Sequence, residues 1–249
     1  MVEGEEALVG NVTSGVVRVG KTVRRPAGAW TDGVDAFLRH LRAAGFGGAP
    51  EPLGRDEQGR QVLAYVAGEI GDATGTYTLT ELAEIGRMQR ALHDAAASFV
   101  PAPGTRWATP IPPDRAELVC HNDVAPWNLI RAERGWVLID WDGAAPSSRL
   151  WDLAYAAQSM AGMSARRAPA ESAARLRAYT DGYGLDARRG PELAALLGRR
   201  ARAMYHLLET GAREQRQPWA RIFTEDGPYW RGTADYLDRH TAVWAAALA

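Results

Sequence analysis

Residues 118–143 constrain the fold most. Leu118-Val119-Cys120 is a short apolar run that ends in His121-Asn122-Asp123, with Asn128 five residues past Asp123. A second run, Trp136-Val137-Leu138-Ile139, ends in Asp140-Trp141-Asp142-Gly143, and Asp140 follows Asn128 by twelve residues. Runs this short and apolar, bounded by polar residues, read as strands, and both deliver carboxylates at their C-terminal ends. For this composition, a His-x-Asp-x4-Asn spacing arises by chance in roughly 0.4% of sequences. The competing reading, a plain polar turn after each strand, does not account for Asp140 falling where a second carboxylate is wanted.

The chain has 249 residues, 46% hydrophobic and 24% charged, enough to bury a sizeable core. Its formal net charge of −1 gives no global field to recruit nucleic acid or an anionic membrane, so neither is expected as a partner. No apolar run approaches the roughly 18–20 residues of a membrane span. The acidic start, MVEGEEALVG, lacks the basic-then-apolar order of a signal peptide. The single cysteine, Cys120, reads as a buried strand residue, and a reducing cytoplasm is the expected setting. Among the basic residues only Lys21 is a lysine, so a mechanism that needs one has a single candidate.

Val16–Val19 and Thr22–Arg24 read as a hairpin turned at Gly20-Lys21, preceded by a glycine-bounded loop, Gly10–Gly15. Residues 32–44 read as a helix with Val34, Phe37, Leu38 and Leu41 on one face, Asp32 as cap and Gly45 as stop. Gln61–Val66 is a further strand. Thr78 and Glu81 have capping-box spacing ahead of the stripe Leu82, Ile85, Met88 and Leu92. Residues 99–115, with five prolines, read as an irregular connector. From Trp151 on the pattern is helical, with breaks expected near 182–184, 190–191 and 227–228. The expected organisation is a small β-rich lobe over 1–68 and a larger helical lobe over 69–249, separated by a cleft.

The motif spacing is that of kinase-type phosphoryl transfer. Magnesium bridging phosphate oxygens wants hard oxygen ligands and few protein contacts, which the Asn128 amide oxygen and the Asp140 carboxylate can supply. Asp123 would orient and deprotonate an acceptor hydroxyl.

With these residues the chain resembles the aminoglycoside phosphotransferase and choline kinase family. The resemblance is carried by His121–Asn128, by Ile139–Gly143 and by Ser148-Arg149-Leu150-Trp151-Asp152-Leu153-Ala154, with Ala91-Leu92-His93-Asp94 as a matching helix end. The Gly10–Gly68 stretch also looks like a short branch described as phosphotransferase or trifolitoxin-immunity-like. The resemblance implies an α+β, bilobal, protein-kinase-like fold, with a small β-rich N-lobe binding nucleotide and a larger helical C-lobe. It also implies ATP, or GTP, with Mg2+ as cofactors, and transfer of the γ-phosphate to a hydroxyl of a small molecule, an amine-bearing antibiotic or amino alcohol. By the same resemblance Asp123 is the catalytic base and His121 organises its loop. Asn128 and Asp140 would ligate magnesium, Asp142 would assist the metal or contact substrate, and Asp152 would hold the catalytic loop. Asn11, Thr13, Ser14 and Gly15 would cover the phosphates, and the backbone of Tyr65, Val66 and Ala67 would meet the adenine.

Three features depart from the family pattern. Lys21 lies in the hairpin turn, not on the third strand where a phosphate-binding lysine is usual. The strand offers Arg24 and Arg25, whose side chains must point to opposite faces, and the resemblance to choline-kinase-like sequences favours Arg24. The phosphate-covering loop has two glycines instead of three, and Asp35 is the nearest acidic partner on the following helix. These departures favour the alternative function, a non-catalytic ligand-binding or immunity protein on a degenerate kinase scaffold. Trp127, Trp136, Trp141 and Trp151 read as core residues, with an aromatic wall for a cationic substrate as the sharper reading. Oligomeric state is left open by the sequence.

Overall fold

Gly20 has a φ of 58°, a left-handed conformation that lets the chain reverse between β2 (Val17–Val19) and β3 (Thr22–Arg25). The structure, a computed structural model, describes residues 4–8, 14–71 and 77–249. In the small lobe, β1 (Glu6–Ala7), β2, β3, β4 (Pro52–Arg55) and β5 (Gln61–Ala64) form one antiparallel sheet in the order β1-β2-β3-β5-β4. Between β3 and β4 runs α1 (Thr31–Ala43), whose Val34, Phe37, Leu38 and Leu41 are buried. Burying each such side chain is worth roughly 1.5–3 kcal/mol, so this face anchors the helix. Asp32 does not cap α1: it lies in the first turn and pairs with Arg55, and Thr31 instead accepts from the Gly28 amide.

The larger lobe starts with β6 (Glu69–Ile70), which pairs with β8 (Leu129–Ala132), itself paired with β9 (Gly135–Leu138). β7 (Leu118–Cys120) pairs with β10 (Ala145–Ser147). The stretch between the two apolar runs therefore holds a further strand, β8, which forms a hairpin with β9. The helices are α2 (Leu79–Ala96), α3 (Arg149–Met160), α4 (Pro169–Tyr183), α5 (Gly190–Arg213), α6 (Trp219–Arg239) and α7 (Thr241–Ala247).

The capping box forms as expected: the Glu81 amide donates to Thr78 Oγ1 at 3.2 Å, and the Thr78 amide donates to Glu81 Oε2 at 2.8 Å. α2 packs on α4 at backbone distance, because a Cβ at Gly86 or Gly182 would run into the carbonyls of Tyr179 and Ala83. The break expected at 227–228 is absent, and α6 runs through Pro228. Pro228 and Thr224, whose carbonyl loses its helical donor, are both exposed, so water can satisfy that carbonyl. One hydrophobic core runs from Phe37, Leu38 and Leu41 through Leu138 and Trp141 into α2–α7. No helix among the described residues is long and apolar enough to cross a membrane.

Candidate active site

β7 ends at Cys120, and the next three residues are fixed from both sides. His121 is fully buried, with its ring 4.6 Å edge-on from Trp141. Its Nδ1 accepts from the Asp123 amide at 3.2 Å, which leaves Nε2–H to donate to the Ile139 carbonyl at 3.1 Å. His121 thus ties the Asp123 turn to the strand end that carries Asp140. Asn122 adopts φ 65° and donates to the Gly143 and Ala145 carbonyls at 3.1 and 3.2 Å. Asn and Asp tolerate this left-handed conformation better than most residues.

The support beneath the loop is Asp152, buried on α3. Its Oδ1 accepts the Asn122 amide at 2.6 Å, and its Oδ2 accepts Gln89 Nε2 at 2.8 Å and His93 Nε2 at 2.9 Å. His93 is closed on its other side by the Tyr183 hydroxyl at 2.8 Å. Burial alone would raise the Asp152 carboxyl, but the bonds from His93 and Gln89 outweigh it and hold the group below its ordinary range. Cys120 lies beside this network, and burial pushes its thiol well up, so it behaves as a packed side chain rather than a nucleophile.

Asn128 sits in a one-turn 3-10 helix, Pro126–Asn128, that turns the chain into β8. Its Nδ2 donates to the Asp123 carbonyl at 3.0 Å and to Asp123 Oδ2 at 2.8 Å. With the nitrogen committed to Asp123, the amide oxygen is the atom left to offer a cation. Desolvation raises the Asp123 carboxyl above its ordinary range, against the opposing influence of Tyr155, His121 and Arg200.

Asp140 follows β9 in the left-handed region, φ 59° and ψ 67°, and opens a short 3-10 helix, Trp141–Gly143. This backbone turn aims Asp140 and Asp142 the same way. Both meet Arg25, whose Nη2 lies 2.8 Å from Asp140 Oδ1 and 2.5 Å from Asp142 Oδ2. Trp30 Nε1 donates to Asp142 Oδ1 at 3.0 Å. Burial works against the Arg25 charge, but the two carboxylates outweigh it and raise the guanidinium above its ordinary range. Two carboxylates gathered on one cationic centre, and the Asn128 amide oxygen left over once its nitrogen is bonded to Asp123, are donors of the kind a divalent cation takes.

This corrects the strand assignment. Arg25, not Arg24, points into the cleft. The register pairs Arg25 with Gln61 and Arg24 with Val62, and alternation sends Arg24 outward to Asp56 at 3.5 Å. Sequence alone says that one of the two faces inward; the parity comes from how β3 pairs with β5. Asp35 does not face Arg25 either; it is buried, accepts from Gln61 Nε2 at 2.6 Å, and is raised by desolvation.

A cavity of about 1010 Å3 opens onto Asp123, Asp140 and Asp142. Its small-lobe side includes Ser14, Pro26, Gly28 and Trp30; its floor includes Asn122, Asp123, Asp140 and Asp142. Gly15, at φ 77°, packs near Pro26. Asn11 and Thr13 lie outside the described residues. Tyr65, Val66 and Ala67 follow β5 and are not part of the cavity lining; the Tyr65 ring carries Arg18 at 4.0 Å and its amide donates to the Lys21 carbonyl at 2.9 Å. The far wall comes from α3, α5 and α6, including Tyr155 and Arg200. The sequence reading passed over Arg200, which had no flanking signal, and favoured Arg24 over Arg25.

Comparison with known proteins agrees with this geometry. Residues 105–193 match the phosphotransferase enzyme family. The trifolitoxin immunity protein of Rhizobium leguminosarum bv. trifolii is 36% identical over 158 residues, 61% of this chain and 60% of that protein, so the chain matches well under two thirds of that relative's length. The fold is shared with the amicoumacin kinase hAmiN (TM-score 0.70, 11% identity, 94% of this chain and 88% of that one). It is also shared with a choline/ethanolamine kinase family protein from Mesorhizobium loti (TM-score 0.64, 15% identity, 98% of this chain and 92% of that one). The fold is thus bilobal, α+β and kinase-like, and the resemblance to a phosphotransferase family, first read from the motif, is matched over residues 105–193.

Proposed function

We propose that this chain is a small-molecule kinase that moves the γ-phosphoryl group of ATP or GTP onto a hydroxyl. The observation that carries the reading is the meeting of Asp123, Asp140 and Asp142 at one end of the cavity, with Asn128 bonded to Asp123 Oδ2. Asp123 accepts the hydroxyl proton while the acceptor oxygen bonds to phosphorus and the bond to the nucleoside diphosphate oxygen breaks. Asn128 holds Asp123 in place through its Nδ2. The Asn128 oxygen, Asp140 and Asp142 would hold the divalent cation, Mg2+. When bound, that ion neutralises charge on the phosphate oxygens and fixes their orientation. Arg25 replaces the usual strand lysine and takes phosphate oxygens, with Ser14 and Gly15 on the covering loop. The fixed His121–Asp152 framework provides positioning, which is most of what phosphoryl transfer asks of a protein.

The small lobe, residues 1–68, serves the nucleotide, and 69–249 serve the metal and acceptor. The one cysteine, buried and unreactive, suits a reducing cytoplasm. Solved relatives of this fold include one named as a choline/ethanolamine kinase family protein and one amicoumacin kinase held with AMP-PNP and Ca2+, which supports a nucleotide, a divalent cation and a small hydroxyl acceptor.

The test is label transfer from γ-labelled ATP over a panel of amino alcohols and antibiotics, with Asp123→Ala and Asp140→Ala alongside. Both variants lose transfer while melting as folded proteins. Wild-type rates in both refute the assignment. A second reading, an immunity protein that sequesters its ligand, draws on the name of the 36% identical relative. It predicts ligand binding with no transfer by the wild type in the same assay.

A further inference from the structure

The acceptor side of the cavity has an unexpected balance of charge and apolar surface. Trp151, Tyr155, Trp219, Tyr229 and Trp230 line it, backed by Met204, Leu207 and Ile222. The charged side chains on this wall are Arg166, Arg200, Glu225 and Asp226, two of each sign among the described residues. Glu225 is already ion-paired with Arg221 at 2.7 Å. Away from the floor that carries Asp123, Asp140 and Asp142, a ligand bearing several ammonium groups would lose hydration with only Glu225 and Asp226 on this wall to replace it.

The aromatic faces compensate such a ligand only in part. The Arg200 guanidinium carbon lies 4.4 Å from the Tyr155 ring centroid and 5.6 Å from that of Trp151, and Arg166 lies 5.8 Å from that of Tyr229. The protein's own cations therefore stand over three of these five rings, Trp151, Tyr155 and Tyr229. Arg200 is 4% exposed. Its Nη2 donates to the Asn122 carbonyl at 3.0 Å, while Nε and Nη1 have no partner among the described residues. A buried guanidinium with unmet donors, one residue from the base, calls for an oxygen acceptor.

We infer that the acceptor is a bulky, largely apolar hydroxyl compound with a carboxylate or carbonyl oxygen near that hydroxyl, seated toward Arg200, and not a polyamine. This rests on the phosphotransferase reading only in calling the bound molecule an acceptor. The volume agrees: cavities of roughly 300–1,000 Å3 hold drug-sized ligands, and this one also has room for a nucleotide at its small-lobe end.

The test is isothermal titration of the full chain with four probes: N-benzoyl-seryl-phenylalanine, its C-terminal amide, kanamycin and choline. The two dipeptide probes bind about tenfold or more tightly than kanamycin and choline. Arg200→Met weakens the dipeptides about tenfold and leaves kanamycin unchanged or tighter; a larger loss for the acid than for the amide identifies a carboxylate, and an equal loss a carbonyl. Because Arg200 is buried, Tyr229→Ala, at a partly exposed position, is measured as well, and it also weakens the dipeptides. Kanamycin or choline binding as tightly as the dipeptides overturns the inference, as does no saturable heat from either dipeptide up to millimolar concentration. Label transfer from ATP separates the two claims. Transfer to polyamines alone leaves the kinase reading standing and removes this one. Tight dipeptide binding with no transfer to any acceptor does the reverse.

Discussion

Asp152→Ala tests the claim that the candidate catalytic loop is held from below. The substitution removes an acceptor for three donors: the Asn122 amide at 2.6 Å, Gln89 Nε2 at 2.8 Å and His93 Nε2 at 2.9 Å. All lie in or against the core, where no solvent replaces the carboxylate. Leaving a buried donor unmet costs about 1–3 kcal/mol, and breaking a buried charged cluster about 3–5 kcal/mol in all. Asp152→Ala is therefore expected to lose about 3–5 kcal/mol, a large share of a typical domain's stability. Asp152→Asn keeps an acceptor oxygen and loses less, about 1–3 kcal/mol. The assay is urea unfolding at pH 7, followed by the same curves at lower pH. Because the folded-state carboxyl is held below its unfolded value, its contribution is complete above the unfolded pKa. It disappears as pH falls from there through the folded pKa, so the gap between wild type and Asp152→Asn narrows on acidification. A loss under about 1 kcal/mol for Asp152→Ala, or a gap that widens at low pH, would refute the account of the support.

Three further outcomes are expected. Arg25→Met weakens ATP binding by roughly ten- to a hundredfold while Arg24→Met changes it little, read by thermal shift with nucleotide; equal effects, or the reverse order, would restore the sequence-based choice of Arg24. Lys21→Ala, at an exposed hairpin position, leaves stability within about 0.5 kcal/mol and transfer unchanged; loss of transfer would return the only lysine to the site. Gly182→Ala drives a methyl into the Ala83 backbone and costs about 1–3 kcal/mol in chemical unfolding, and a neutral result would mean α2 and α4 can separate without penalty.

The bilobal fold and the motif were legible because both are written locally. The hairpin at Gly20-Lys21, the capping box at Thr78 and the stripe of α1 depend on neighbours within a few residues. Asp123 and Asp140 line one cavity because the two strand ends that carry them lie together, and Asn128 bonds to Asp123. What sequence could not give depends on register or on distant elements. Arg25 was misassigned because strand parity is set by pairing with β5, some 36 residues on. Arg200 carries no motif and gains meaning only when α5 is laid beneath Asn122. Pro228 read as a break because composition does not reveal that its orphaned carbonyl would face water.

Arg25 grows from the sheet above the cavity, whereas Asp140 and Asp142 belong to the loop below it. One ionic bolt thus fastens the two halves across the gap. On the proposed function, a divalent ion held by Asp140 and Asp142 would draw on the same two carboxylates, and the bolt would then be shared between the ion and the guanidinium.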